Sequence, residues 1–150
     1  MLKKTTVAAV AALFCTAMLV IASAQSAPLV HITAGNVDII ALNDNSLDDV
    51  IDLYPADKVT VMLECQTAAG CEGALNLATP VANDPAYSWL KIVILDVSGD
   101  PNKADRSGWK PNIIIADHCG GDGGTAPVTS TQLVEMAQRY RENFHQLTCD

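Results

Sequence analysis

Basic residues are scarce in this chain of 150 residues, with 9 Lys and Arg against 17 Asp and Glu. Most short motifs that announce chemistry are missing too. No Cys-x-x-Cys or His-x-x-x-His spacing offers zinc a ligand set, so no metal and no cofactor is expected. No serine sits in a nucleophile elbow, and no glycine-rich phosphate loop follows a strand. There is no internal repeat, and no low-complexity tract beyond a short glycine run at 120–124. The acid excess argues against nucleic acid or anionic membrane as a partner, since both would repel such a surface.

What is present begins with a processing signal. Lys3 and Lys4 form a basic start, Val7 to Ile21 is an apolar run, and Ala22-Ser23-Ala24 is a small-residue cleavage site. The run is too short and wrongly flanked for a stable membrane span. Cys15 follows the bulky Phe14, where a lipid-modified cysteine needs a small residue, so no anchor is expected after cleavage. Residues 1–24 are expected to be a signal peptide, 25–36 an N-terminal extension and 37–150 a single domain. Export to the periplasm or beyond the cell follows. The mature chain would have 126 residues (150 − 24) and a formal charge of 7 − 17 = −10 once both lysines are lost. Solubility of a secreted protein is the simplest use of that charge.

Four cysteines remain in the mature chain: Cys65, Cys71, Cys119 and Cys149. In an oxidising space an even count predicts two disulfides, for which sequence allows three pairings.

Hydrophobic patterning predicts an α/β domain. Val37 to Leu42 reads as a strand. Ser46 is a good N-cap, and Leu47, Val50, Ile51 and Tyr54 share one helical face. Val59 to Leu63 is an apolar, β-branched run suited to a strand covered on both sides. Residues 65–70 are expected to be a loop. A helix should start near Cys71, pass Leu75 and Leu77, and end or kink at Pro80. Leu90 to Leu95 is another buried-type strand, and Asn112 to Ala116 a strand opened by Pro111. Gly120 to Gly124 is expected to be a flexible hairpin tip, with Thr125 to Val128 returning as a short strand. Thr129 and Gln132 form a capping box for a last helix, whose apolar stripe runs from Leu133 through Met136, Ala137, Tyr140, Phe144 and Leu147.

The resulting order, β-α-β-α-β-turn-β-β-α, resembles the thioredoxin fold, and local segments support the likeness over about residues 37–146. Leu42 to Asp48 resembles the lead into that family's first helix, Lys58 to Leu63 its central strand, and Asp100 to Ala104 followed by Gly108-Trp109 the stretch before its cis-proline. Pro111 to Ile115 resembles the cis-proline strand, and Ser130 to Leu133 the start of the final helix. The resemblance implies a thioredoxin-like three-layer α/β/α domain with a mixed sheet of four to five strands. It also implies a site where residues 65–71 meet Pro111, 40 residues beyond Cys71. Cys119, ending its strand, and Cys149, following the last helix, would then meet at the opposite side as a staple.

Departures from the family bear on function. Ala68-Ala69-Gly70-Cys71 stands where Cys-x-x-Cys is usual, so Ala68 replaces the nucleophile. Met62 replaces a buried aspartate, and Lys110 precedes the proline. The leading expectation is therefore a non-catalytic module that binds a protein or peptide client. Its groove would be lined by Thr67, Ala68, Ala69, Lys110, Pro111, Ala126 and Pro127, and would use strand addition beside the proline. The alternative is an atypical thiol–disulfide oxidoreductase using Cys65 and Cys71. For exported cysteines a permanent bridge closing the loop is the commoner outcome, and pairing of each with a different cysteine is the third option. Asp117-His118-Cys119 reads as a surface histidine beside a structural cysteine, and His31 and His145 have no partner visible in the sequence.

Overall fold

The computed structural model describes residues 30–42, 47–99, 112–146 and 148–149. Six strands form one mixed sheet: β1 (Val30–Ala34), β2 (Val37–Ala41), β3 (Val59–Cys65), β4 (Leu90–Asp96), β5 (Asn112–Asp117) and β6 (Gly120–Thr125). Among the described residues three helices flank it: α1 (Leu47–Ile51), α2 (Ala68–Ala82) and α3 (Ser130–Asn143), with a 3-10 turn at Pro85–Tyr87. The strand order is β1-β2-β4-β3-β5-β6. β4 pairs parallel to both β2 and β3, whereas β5 runs antiparallel to β3 and β6 antiparallel to β5.

The apolar runs explain the layering. Every residue of β3 is buried, as a central strand covered on both faces must be. On one face Val61, Leu63, Ile92, Ile94, Ile113 and Ile115 pack under α2 and α3. On the other, Met62, Val93, Leu95 and Ile40 pack under Val50 and Ile51 of α1. The predicted α1 face is thus the buried one; Ser46 lies outside the described residues. Thr129 accepts from the Gln132 N–H at 3.2 Å, and Gln132 in turn accepts from Val128 N–H at 3.0 Å, so the predicted cap forms. Leu147 lies outside the described residues.

Three expectations change. The sheet gains a sixth strand, because Gly35 takes φ +63° in a two-residue turn and folds β1 back along β2. α2 starts three residues before Cys71, where Thr67 caps it by accepting from Gly70 N–H at 3.1 Å, and it runs past Pro80 to Ala82. Burial of Ala78 and Val81 against the sheet outweighs the one backbone bond the proline removes. The glycines at 120–124 are a strand and not a hairpin tip. The turn is His118-Cys119, and the Asp117 Oδ1 accepts from both Cys119 N–H (2.8 Å) and Gly120 N–H (3.0 Å), closing the hairpin just before them.

Asp38 fastens the near edge. Its carboxylate accepts from Thr33 Oγ1 (3.0 Å) and Tyr54 Oη (2.9 Å) and pairs with Lys91 Nζ at 2.8 Å. Burial, reinforced by the Asp38 bond and charge, pushes the Tyr54 phenol well above its usual value.

Candidate functional site

Registers place the carboxyl ends of β3 and β4 beside the start of β5 and the end of β6. Cys65 lies opposite Asp96, Leu63 opposite Ile113, and Asn112 opposite Thr125. Cys65 and Cys71 meet at this end as a disulfide with Cα atoms 5.0 Å apart. Cys65, on the strand, is 1% exposed, while Cys71, in the first turn of α2, is half-buried. The loop expected at 65–70 shrinks to Gln66 and Thr67, and helix formation from Ala68 swings Cys71 back over the strand end. Ala68, Ala69 and Gly70 are exposed on that turn.

One residue here escaped sequence reasoning. An oxygen of Asp96 and both sulfurs lie within 4.8 Å of one another. Asp96 Oδ1 also accepts from Ser98 N–H at 3.0 Å, which orients the carboxylate. An acid ending an apolar strand carries no signal of its own; the parallel register with β3 alone brings it to Cys65. Bonded to each other, the sulfurs are not thiolate donors, so this trio offers a cation no ligand set in its present state. Met62 is fully buried on the α1 face, away from the disulfide.

The expected groove is only partly placed. Thr67, Ala68 and Ala69 crown the disulfide. Ala126 and Pro127, half-buried, follow β6 at the same end of the sheet but two strands away from β3, roughly 10 Å by strand spacing. Lys110 and Pro111 lie outside the described residues; Asn112, the next in sequence, opens β5 at this end.

The strand order and connections, with cysteines at the carboxyl end of the central pair, decide the architecture. The chain has a thioredoxin-like fold. No family model matches the sequence, and no curated protein matches it. Among solved structures, a Malassezia sympodialis thioredoxin is similar at 18% identity over 73% of this chain and 97% of that one, with a TM-score of 0.48. A Plasmodium falciparum thioredoxin is similar at 16% identity over 78% and 96%, with a TM-score of 0.43. In this thioredoxin-like domain Cys65-x5-Cys71 replaces the usual Cys-x-x-Cys.

The opposite end carries the second disulfide, Cys119–Cys149, as the staple requires. It is reinforced by a partner for His145 that the sequence did not reveal. Asp117 Oδ2 lies 2.8 Å from His145 Nδ1 and accepts from Gln146 N–H at 3.0 Å. Burial alone would raise the Asp117 carboxyl, but bonds from Gln146, Cys119, His145 and Gly120 together hold it below the usual carboxylate range. His118 is exposed, with Nε2 2.9 Å from the Tyr54 carbonyl. The side chain of His31 lies outside the described residues. Two disulfides fit an oxidising compartment, and among the described residues no helix is long and apolar enough to cross a membrane.

Proposed function

We propose that this is an exported thiol–disulfide exchange protein working through Cys71 and Cys65, in the periplasm or outside the cell. The supporting observation is the asymmetry of the disulfide: one sulfur belongs to a half-buried residue in a helix's first turn, the other to a fully buried residue beside a carboxylate. A client thiolate attacks Cys71 Sγ, forming a mixed disulfide, and the Cys65 thiolate leaves and takes a proton by way of Asp96. A second client thiolate then attacks the client sulfur of the mixed disulfide. The Cys71 thiolate departs, favoured by the positive end of α2. The client dithiol is oxidised by two electrons, and Cys65 and Cys71 end as thiols. The reverse sequence reduces a client disulfide, with Cys71 entering and Cys65 resolving.

Titration with dithiothreitol, followed by alkylation mapping, tests this. The Cys65–Cys71 bond should open well before Cys119–Cys149, and Cys71→Ser should abolish oxidative refolding of a reduced client. Asp96→Asn should slow the step that releases Cys65, leaving the fold unchanged. Equal resistance of both bonds, with no turnover, would instead support the second reading, a non-catalytic binding module for a protein or peptide client. That reading is favoured by Ala68, which leaves the first helical position without a nucleophile.

A further inference from the structure

Among the described residues, three metal-ligating side chains converge at one place, where an Asp96 oxygen and the sulfurs of Cys65 and Cys71 lie within 4.8 Å of one another. Bonded to each other, the sulfurs are not ligands. Exchange as proposed above separates them, and each cycle leaves two thiols beside a carboxylate. A site made of these three groups exists only when the bond opens, and so depends on the exchange reading.

The backbone keeps the three donors together without the bond. Val97 N–H donates to the Cys65 carbonyl at 2.9 Å and ties the end of β4 to β3. Cys71 N–H donates to the Thr67 carbonyl at 2.9 Å, inside the turn that Thr67 caps. The Cα atoms of the two cysteines are 5.0 Å apart, and Ser98 N–H steadies the Asp96 carboxylate at 3.0 Å. Two thiolates on a tetrahedral zinc ion stand roughly 3.8 Å apart, given Zn–S bonds of about 2.3 Å. Side-chain rotation reaches that separation from anchored backbones. The turn beside the sulfurs carries only Ala68, Ala69 and Gly70, all exposed, so it presents no bulky side chain to an entering ion.

We infer that the reduced Cys65–Cys71 pair and Asp96 bind one zinc ion, with water in the fourth position. Two thiolates disfavour magnesium and calcium, which take oxygen ligands, and the carboxylate favours zinc over copper(I), which prefers sulfur. Three protein ligands with one open position are the pattern of accessible zinc sites, whereas structural sites are closed by four. No oxidant is needed: each thiol gives its proton to solvent as its zinc–sulfur bond forms, and no electron moves. Zinc and the disulfide exclude each other, because both require the same two sulfurs. The ion therefore regulates exchange by holding the protein as the dithiol. At free zinc 100 times its dissociation constant, the dithiol gains about 100-fold over the disulfide, or about 60 mV in midpoint potential.

Cobalt(II), a coloured substitute for zinc, is the probe. Protein reduced with a phosphine is desalted without oxygen, its Cys65 and Cys71 thiols are confirmed by alkylation mapping, and cobalt is titrated in. One equivalent should bring thiolate-to-cobalt charge-transfer absorption and the visible bands of a tetrahedral site, and zinc should bleach both. Oxidised protein should show neither. Cys71→Ser should abolish the tetrahedral bands, Asp96→Asn should weaken binding by about 10-fold or more, and Cys149→Ser should bind as the parent does. Where Cys71→Ser fails to fold, zinc should shield Cys71 of the parent from alkylation until a chelator is added. Zinc should also raise the midpoint of Cys65–Cys71 in a glutathione buffer. Confirmed thiols that take up neither cobalt nor zinc would overturn the site. So would binding that Asp96→Asn leaves unchanged, or binding of copper(I) with zinc refused. If Cys65–Cys71 opens only together with Cys119–Cys149, the exchange reading fails by itself. The fully reduced protein then still tests the site, with Cys149→Ser separating metal held at the other pair.

Discussion

Asp117 holds the end of the molecule remote from the Cys65–Cys71 site with a single side chain. Three backbone N–H groups and one histidine converge on its two oxygens. Removing it leaves those part-buried donors without their acceptor, and Asp117→Ala should cost about 1–3 kcal/mol, read as a shift in urea midpoint. The carboxyl sits below its ordinary value of 3.8 in the folded chain. Its contribution to stability is therefore complete above pH 3.8 and is lost as pH falls through the depressed folded value. Asp117→Asn should flatten the loss of stability between pH 5 and pH 2, compared at matched ionic strength. Tyr140 belongs to the same corner: its hydroxyl donates to the Gly120 carbonyl at 2.9 Å, and burial with the Asp117 charge pushes the phenol up to about 12. None of this was legible in the sequence, because His145 and Asp117 lie 28 residues apart and no local pattern relates them.

Helix α2 sets the geometry of the disulfide, and its two ends respond differently to change. Thr67 at the N-cap fixes where the first turn begins, and so where Cys71 faces. Thr67→Ala should cost about 1 kcal/mol and should make the Cys65–Cys71 bond easier to reduce, as seen in dithiothreitol titration. Pro80 is exposed near the other end, so Pro80→Ala removes little packing and restores a helical N–H. It should stabilise the protein by about 1–3 kcal/mol in urea unfolding. The helix outlasting its proline is a tertiary override of a local breaker: Ala78 and Val81 face the sheet, and that face decides the length. β6 shows the same priority more strongly. Glycines read locally as a turn, yet the ladder offered by β5, beginning at the tight Asp117–Gly120 turn, recruits them into a strand. The apolar runs of β3, β4 and β5 were readable because each is long, rich in branched residues and mostly buried. β1 was missed because its strand character depends on one glycine turn and on β2 lying alongside.

For the molecule as a whole, the two disulfides divide the work between ends. Cys119–Cys149 closes a separation of 30 residues, worth about 3–4 kcal/mol in the loop-entropy model. Cys149→Ser should lower unfolding stability by about that amount while leaving the reduction midpoint of Cys65–Cys71 unchanged, since the two lie at opposite ends of the sheet. A common loss would mean the ends are coupled.

The sequence by itself determined the α/β class, the buried central strands, the amphipathic last helix and the cap that starts it. These are local periodicities, and a chain has little freedom to evade them once its apolar residues must leave water. Only the tertiary structure decided that Cys65 bonds Cys71, that Asp96 stands beside both, that His145 finds Asp117, and that a run of glycines becomes a bare sheet edge. Each of those depends on strand register and helix placement, which bring together residues that no short stretch of sequence relates.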